Sequence, residues 1–175
     1  IVEDSSFTYT SDANGNVTSK TSRAGGVTTT YVYNSVNQLV EVKTGATTIA
    51  AYKYDPAGNR VEKNVGGTIT RFVYDGRNIL AILDGSNNLQ ALFTTGLGIA
   101  SPLAMRRSGQ DYFHHADALG SVVALTDSGA NIIETVEYQV YGRAVVKDAG
   151  GGLHAESTAN NPLLYTGVEF DAETG

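Results

Sequence analysis

Cysteine is absent, which excludes disulfide bridges and thiolate chemistry but leaves the compartment undecided. Tryptophan is absent as well, and proline occurs only three times. Basic residues are scarce. Twelve Lys and Arg against 18 Asp and Glu give a net charge of −6 and a pI near 4.9. With no basic stripe, the chain is not built to bind nucleic acid. No apolar run approaches the ~20 residues that a membrane-spanning helix needs. No basic stretch followed by an apolar one opens the chain as a leader would. That absence excludes little, because the chain opens on Ile1-Val2-Glu3, without an initiator Met, as though cut from something longer. A Gly-x-Ser-x-Gly elbow and a phosphate loop are also missing.

What is present points to turns and strands. The 175 residues include 20 Gly and 10 Tyr, and a 41% hydrophobic share is enough for a domain with a core. One short phrase recurs: two aromatics around an extended residue, then Asp or Asn, then a Gly-Asn turn. It reads Phe7-Thr8-Tyr9 with Asp12-Ala13-Asn14-Gly15-Asn16, then Tyr31-Val32-Tyr33-Asn34. It returns as Tyr52-Lys53-Tyr54-Asp55-Pro56-Ala57-Gly58-Asn59-Arg60 and as Phe72-Val73-Tyr74-Asp75-Gly76-Arg77-Asn78. The second aromatics, Tyr9, Tyr33, Tyr54 and Tyr74, are 24, 21 and 20 residues apart. A unit of roughly 20 residues holds two strands of about 6 residues and two turns. Pro56 presets φ for a turn, and Gly58 or Asn59 can take positive φ. The β-branched and aromatic runs Thr28–Tyr33 and Thr68–Tyr74 read as strands. Each unit is therefore expected to be a hairpin whose neighbours extend one sheet.

Further strands are expected at Ile79–Leu83, Leu89–Phe93, Tyr112–His115, Ser121–Thr126 and Ile132–Tyr138. Turns are expected at Asp84–Asn88, Asp127–Asn131 and Tyr141-Gly142-Arg143. Ile79–Leu83 is continuously apolar, which suggests burial on both faces or a local change in the wall. Ile132–Tyr138 has no cleanly apolar face and reads as an edge or a wall between two solvated sides. Residues 147–160, with Gly150-Gly151-Gly152, read as a loop and as the most mobile segment. Val168-Glu169-Phe170 reads as a last strand.

The candidate chemical residues each have a plain alternative. His114, His115 and Asp117 could ligate a metal or act as acid and base, but adjacent strand residues point to opposite faces. A histidine supporting the turn at Asp117–Gly120 is the simpler reading, and the third histidine, His154, lies in the 147–160 segment. Asp12, Asn14 and Asn16 have the 1, 3, 5 spacing of a calcium loop. Val17 and Arg23 then stand where Gly and Glu are required, so a turn is expected. Asn16-Val17-Thr18 is a glycosylation sequon. Ser121 has no base that the sequence places beside it. Glu169, Asp171 and Glu173 alternate and would share one strand face. Paired acids can hydrolyse glycosides, but a solvated edge is the commoner meaning. No catalytic, cofactor-binding or metal-binding residue is therefore assigned, and no cofactor is expected.

The ordered run of motifs resembles the bacterial Rhs/YD-repeat family. Residues 1–93 match the YD-repeat hairpin array, with Tyr54–Arg60 the closest copy. Residues 94–175 look like the start of the Rhs repeat-associated core. That half carries His115-Ala116-Asp117-Ala118-Leu119-Gly120-Ser121, Leu125-Thr126-Asp127 and Tyr138–Gly142, then Asn161-Pro162, Tyr165-Thr166-Gly167 and Phe170–Gly175. The resemblance implies an all-β fold of tandem antiparallel hairpins, forming a curved strip of a shell that encloses a C-terminal toxin or effector. It also implies secretion or display on a bacterial surface. Partners would be the rest of the same shell or another chain covering the sheet edges, together with the enclosed toxin; nucleic acid and a membrane span are not expected. The family core ordinarily continues past Glu-Thr-Gly into an aspartyl self-cleavage segment, so the sequence reads as truncated before it. Asp55-Pro56-Ala57-Gly58 resembles that cleavage signature only superficially, being followed by Asn59-Arg60 within a turn. A different use, adhesion or carbohydrate and protein binding, would rest on Tyr52, Tyr54 and Tyr74 exposed on a flat β wall.

Overall fold

The computed structural model describes residues 3–139 and 143–174. Among the described residues the chain is all-β, with fifteen strands in one antiparallel sheet whose spatial order is the order of the sequence. The strands are β1 Phe7–Ser11, β2 Val17–Ser22, β3 Thr28–Tyr33, β4 Leu39–Thr44, β5 Thr47–Tyr54, β6 Arg60–Val65, β7 Thr68–Asp75 and β8 Asn78–Asp84. They continue as β9 Leu89–Thr95, β10 Pro102–Arg107, β11 Gln110–Ala116, β12 Val122–Asp127, β13 Ile132–Tyr138, β14 Ala144–Asp148 and β15 Leu153–His154. The chain divides into two compact units, residues 1–71 with Thr174, and residues 72–173.

In the first unit the repeated phrase is a strand and the turn that follows it. β1, β3 and β5 each end in such a turn, and two-residue Gly turns at Gly45-Ala46 and Gly66-Gly67 make the returns. The core is small. Val42, Ala50 and Tyr52 are buried, and Tyr31, Leu39, Ile49, Tyr54 and Val65 pack half-buried around them. The fourth phrase closes differently. Asp75 is the last residue of β7, and Gly76, at φ +62°, opens a tight return to β8.

The second unit has a thicker core: Phe72, Ile79, Ile82, Ala91, Phe93, Met105, Val122 and Leu125 from the strands, joined by Ala159 and Leu163 from the tail. A second cluster joins Val136 and Val146 to Leu164. The tail is thus bound over the sheet. The Val122 N–H donates to the Leu164 carbonyl and the Phe170 N–H to the Pro162 carbonyl.

β8 carries buried residues on both faces, Ile79 and Ala81 on one and Ile82 on the other, with Leu80 alone exposed among them. Several expectations are corrected here. β13 is not an edge, for it pairs with β12 and β14, and one face carries buried Glu134 and Val136. Residues 147–160 are not one open loop. They hold the end of β14, a hydrogen-bonded turn at Asp148 and all of β15, and Ser157 and Ala159 are buried. Val168–Phe170 is not a strand. It follows a 3-10 turn at Tyr165–Gly167 and makes one isolated bridge, Leu163 with Glu169, so Glu169, Asp171 and Glu173 do not line a strand face. Of the expected turn at 141–143, Tyr141 and Gly142 lie outside the described residues.

Candidate functional site

Seven turns share one internal chemistry: Asp12, Asn34, Asp55, Asp84, Asp117, Asp127 and Asp148 each open one. In every copy the N–H of the opening residue donates to the carbonyl four residues on, and the N–H three residues on donates back. The side-chain oxygen accepts the N–H four residues on, as from Asn16, Gln38, Asn59, Asn88, Ser121, Asn131 and Gly152. In four copies the closing Asn returns its side-chain amide to the same carboxylate. The residue three on takes positive φ in all seven: Gly15, Asn37, Gly58, Asn87, Gly120, Ala130 and Gly151. Asp, Gly and Asn are chosen because a short acceptor, a positive φ and a donor are needed at those three places.

This consumes the carboxylates that look like chemistry. Asp12 accepts from the Asn14 and Asn16 N–H groups and from the Asn16 amide, so the calcium-like spacing is a turn. Asn16 also donates to Asn37, so the sequon residue is held between two turns. Hydrogen bonds from Asn16, Asn59, Asn88 and Asn131 hold Asp12, Asp55, Asp84 and Asp127 below the usual carboxylate range, and His154 does so for Asp148. Among the described residues no group of three or more His, Asp and Glu is arranged to hold a metal.

The polar residues with unusual surroundings lie on the covered face of the second unit. His114, Leu125 and Glu134 are register partners across β11, β12 and β13, hence on one face. Glu134 is 0% exposed. Its carboxylate accepts from Ser157 Oγ at 2.6 Å, the Thr158 N–H at 2.7 Å and Thr158 Oγ1 at 2.8 Å. Ser157 Oγ also accepts the Asn161 N–H at 3.0 Å. Asn161 Oδ1 lies 3.1 Å from His114 Nε2, and its amide donates to the Leu163 carbonyl. His114 Nδ1 is buried and makes no hydrogen bond of good geometry, although the Leu103 backbone is close enough to favour the charged ring. Burial pushes the His114 imidazole below its ordinary value, against the opposing pull of Asn161, the Leu103 backbone and Glu134.

The expected separation of the two histidines is observed. His114 is buried, whereas His115 is exposed and meets Thr126 Oγ1 at 3.0 Å. Neither supports the Asp117 turn, which is corrected to a turn held by its own carboxylate through the Leu119 and Ser121 N–H groups. Ser121 is fully buried, and its Oγ accepts the Thr166 N–H, so it is a docking point for the tail. The exposure expected of the three tyrosines is corrected for Tyr52, while Tyr54 and Tyr74 are half-buried. Tyr52 is 4% exposed beneath Arg60, Tyr54 donates its hydroxyl to the Leu39 carbonyl, and Tyr74 packs on the core. The buried Glu134, Ser157 and Asn161 escaped sequence reasoning. One signal was available: Ile132, Glu134, Val136 and Tyr138 place a single acid in an otherwise apolar row, as a buried and partnered carboxylate would be.

The teneurin YD-shell family profile matches residues 1–154. The chain is 32% identical to the tRNA3(Ser)-specific nuclease WapA of Bacillus spizizenii and to the tRNA nuclease WapA of Bacillus subtilis strain 168. Each alignment covers 99% of this chain and 7% of that protein. Among solved structures, the Photorhabdus luminescens Tc holotoxin pore aligns with 85% of this chain and 9% of that one, at 15% identity and a TM-score of 0.49. A TcdB2–TccC3–Cdc42 crystal structure aligns with 91% and 10%, at 14% identity and a TM-score of 0.48.

Proposed function

The chain belongs to the teneurin YD-shell family, and from that premise we propose that it is a wall segment of a toxin-associated shell enclosing a C-terminal effector domain. The single observation that carries the proposal is how the polar groups are used. Along the antiparallel sheet, the Asp and Asn side chains that open the repeated turns are bound within those turns. On this reading the segment's role is containment, with no catalytic role of its own. The curated relatives are named as tRNA nucleases, and the chain spans 7% of their length. The nuclease chemistry of such a polypeptide would sit in another part of it. Division at residues 93 and 94, into a hairpin array and the start of a core, belongs to the same reading. So do further repeats or another chain at the sheet edges, and secretion or display at a bacterial surface.

The test is protease accessibility of the natural full-length protein. The C-terminal region is expected to survive trypsin in the intact molecule and to be digested at the rate of the isolated domain once the sheet is unfolded. Equal digestion of the intact and isolated forms would overturn containment. A glycan or protein adhesion reading loses Tyr52, which is buried, and keeps only the half-buried rings of Tyr54 and Tyr74.

A further inference from the structure

The row His114, Leu125, Glu134 does more than fill the core, because it is where the tail is attached. Three hydrogen bonds fasten residues 157–158 to Glu134, and His114 meets Asn161 three residues further on. The Asn161 backbone N–H donates to Ser157 Oγ, so the four residues form one continuous hydrogen-bonded path from β11 to β13 through the tail. All four are at least nine-tenths buried. Ala159, Leu163 and Leu164 follow them onto the apolar clusters. The tail is a strap with a polar clasp.

We propose that this clasp is acid-sensitive: protonation of His114 releases the 157–164 strap from the sheet face while the hairpins beneath stay paired. The geometry supplies the reason. In the closed state the His114 imidazole is shut away from water, and the Leu103 backbone near it makes no hydrogen bond of good geometry to Nδ1, so an added proton brings a charge without a hydration shell. The opposite charge that could compensate is Glu134, two strands away and so about 10 Å off by strand spacing. Its carboxylate is already committed to Ser157 and Thr158. The other charged neighbours do not help. His115, on the same strand, faces the other way, and Asp148, the register partner of Glu134, is spent on its own turn and on His154. Once the strap lifts, His114 meets water and accepts the proton at its ordinary value.

The sign follows from that difference. A histidine held lower in the closed state contributes stability that is complete above the ordinary value of 6.5. That contribution is lost progressively as the pH falls from there towards the closed-state value.

Hydrogen exchange read by mass spectrometry on the full 175-residue chain tests this. Between pH 7.5 and 5, protection of the 157–164 amides is expected to fall by up to about tenfold per pH unit, the limit for one linked proton. Protection in β4 and β5 should hold. His114→Phe, which places an apolar ring near Phe93, should keep the strap protected across the range. Glu134→Gln should lower protection at every pH. Strap protection that does not change with pH in the natural chain, or that falls equally in His114→Phe, overturns the proposal, as does simultaneous loss in β4 and β5. Should His114→Phe not fold, NMR titration of the His114 ring in the natural chain decides. A midpoint below 6.5 that coincides with strap release supports the clasp, and a midpoint at or above 6.5 or separate from release refutes it.

Discussion

The two compact units use the same strand and the same Asp turn, yet bury their side chains differently. In residues 1–71 no residue of β1, β2 or β3 is fully buried, and the core is Val42, Ala50 and Tyr52 ringed by half-exposed tyrosines. In residues 72–173 the strands carry Phe, Ile, Met and Leu, and a tail lies across them. A hairpin strip without such cover buries few of its residues completely. Cover supplied by its own chain lets it close around an aliphatic core, and even around a carboxylate. The second unit should therefore respond to core damage more sharply, and the first more to damage at its turns.

The largest expected effect tests the cover. Gly167 sits at φ +68°, and a Cβ there would lie 2.1 Å from the Ala100 carbonyl oxygen. Gly167→Ala should cost roughly 3–5 kcal/mol and expose the tail, seen as a lower Tm with early proteolysis after residue 155. Core truncation comes next. Leu125→Ala should cost about 3 kcal/mol and Val42→Ala about 2, by urea unfolding. The comparison breaks if Val42→Ala proves the more damaging.

The turns are worth less. Ala130 occupies the positive-φ position at +62°, where other copies have Gly or Asn, so Ala130→Gly should stabilise by up to about 1 kcal/mol in thermal melts. Depressed turn carboxylates contribute stability that is complete above their ordinary value of 3.8 and is lost as the pH drops through and below it. The chain should therefore begin to lose ellipticity below about pH 4. The smallest effect is expected from Asn34→Asp. Gln38 can turn its amide to donate, so melting near neutrality should barely change, while the acid transition steepens because one more turn carries a carboxylate.

Local chemistry was legible in the sequence. Thr28–Tyr33 forms the strand its β-branched and aromatic residues predict, and Asp127–Asn131 the turn its Asp, Gly and Asn predict. What escaped was long-range. Ala144–Asp148 is a strand beside a Gly run that reads as loop, because its partners lie in β13 and β15. Glu134 looks solvated until Ser157 and Thr158, 23 and 24 residues later, fold onto it. The tyrosines were located correctly along the strands, but their faces were not, since period-2 alternation says which residues share a face and not which face another segment will cover.

One property of the first unit bears on how such a chain can grow. The Asp12, Asn34 and Asp55 turns follow β1, β3 and β5, so they stand at the same end of the strands, where Asn14 and Asn16 donate to Asn37 across neighbouring turns. Duplicating or deleting two strands keeps each such turn beside another and restores that contact. Inserting one strand sends every later turn to the far end and inverts the strands after it. Gene duplication in this fold is thus restricted to even steps, and its natural quantum is the hairpin.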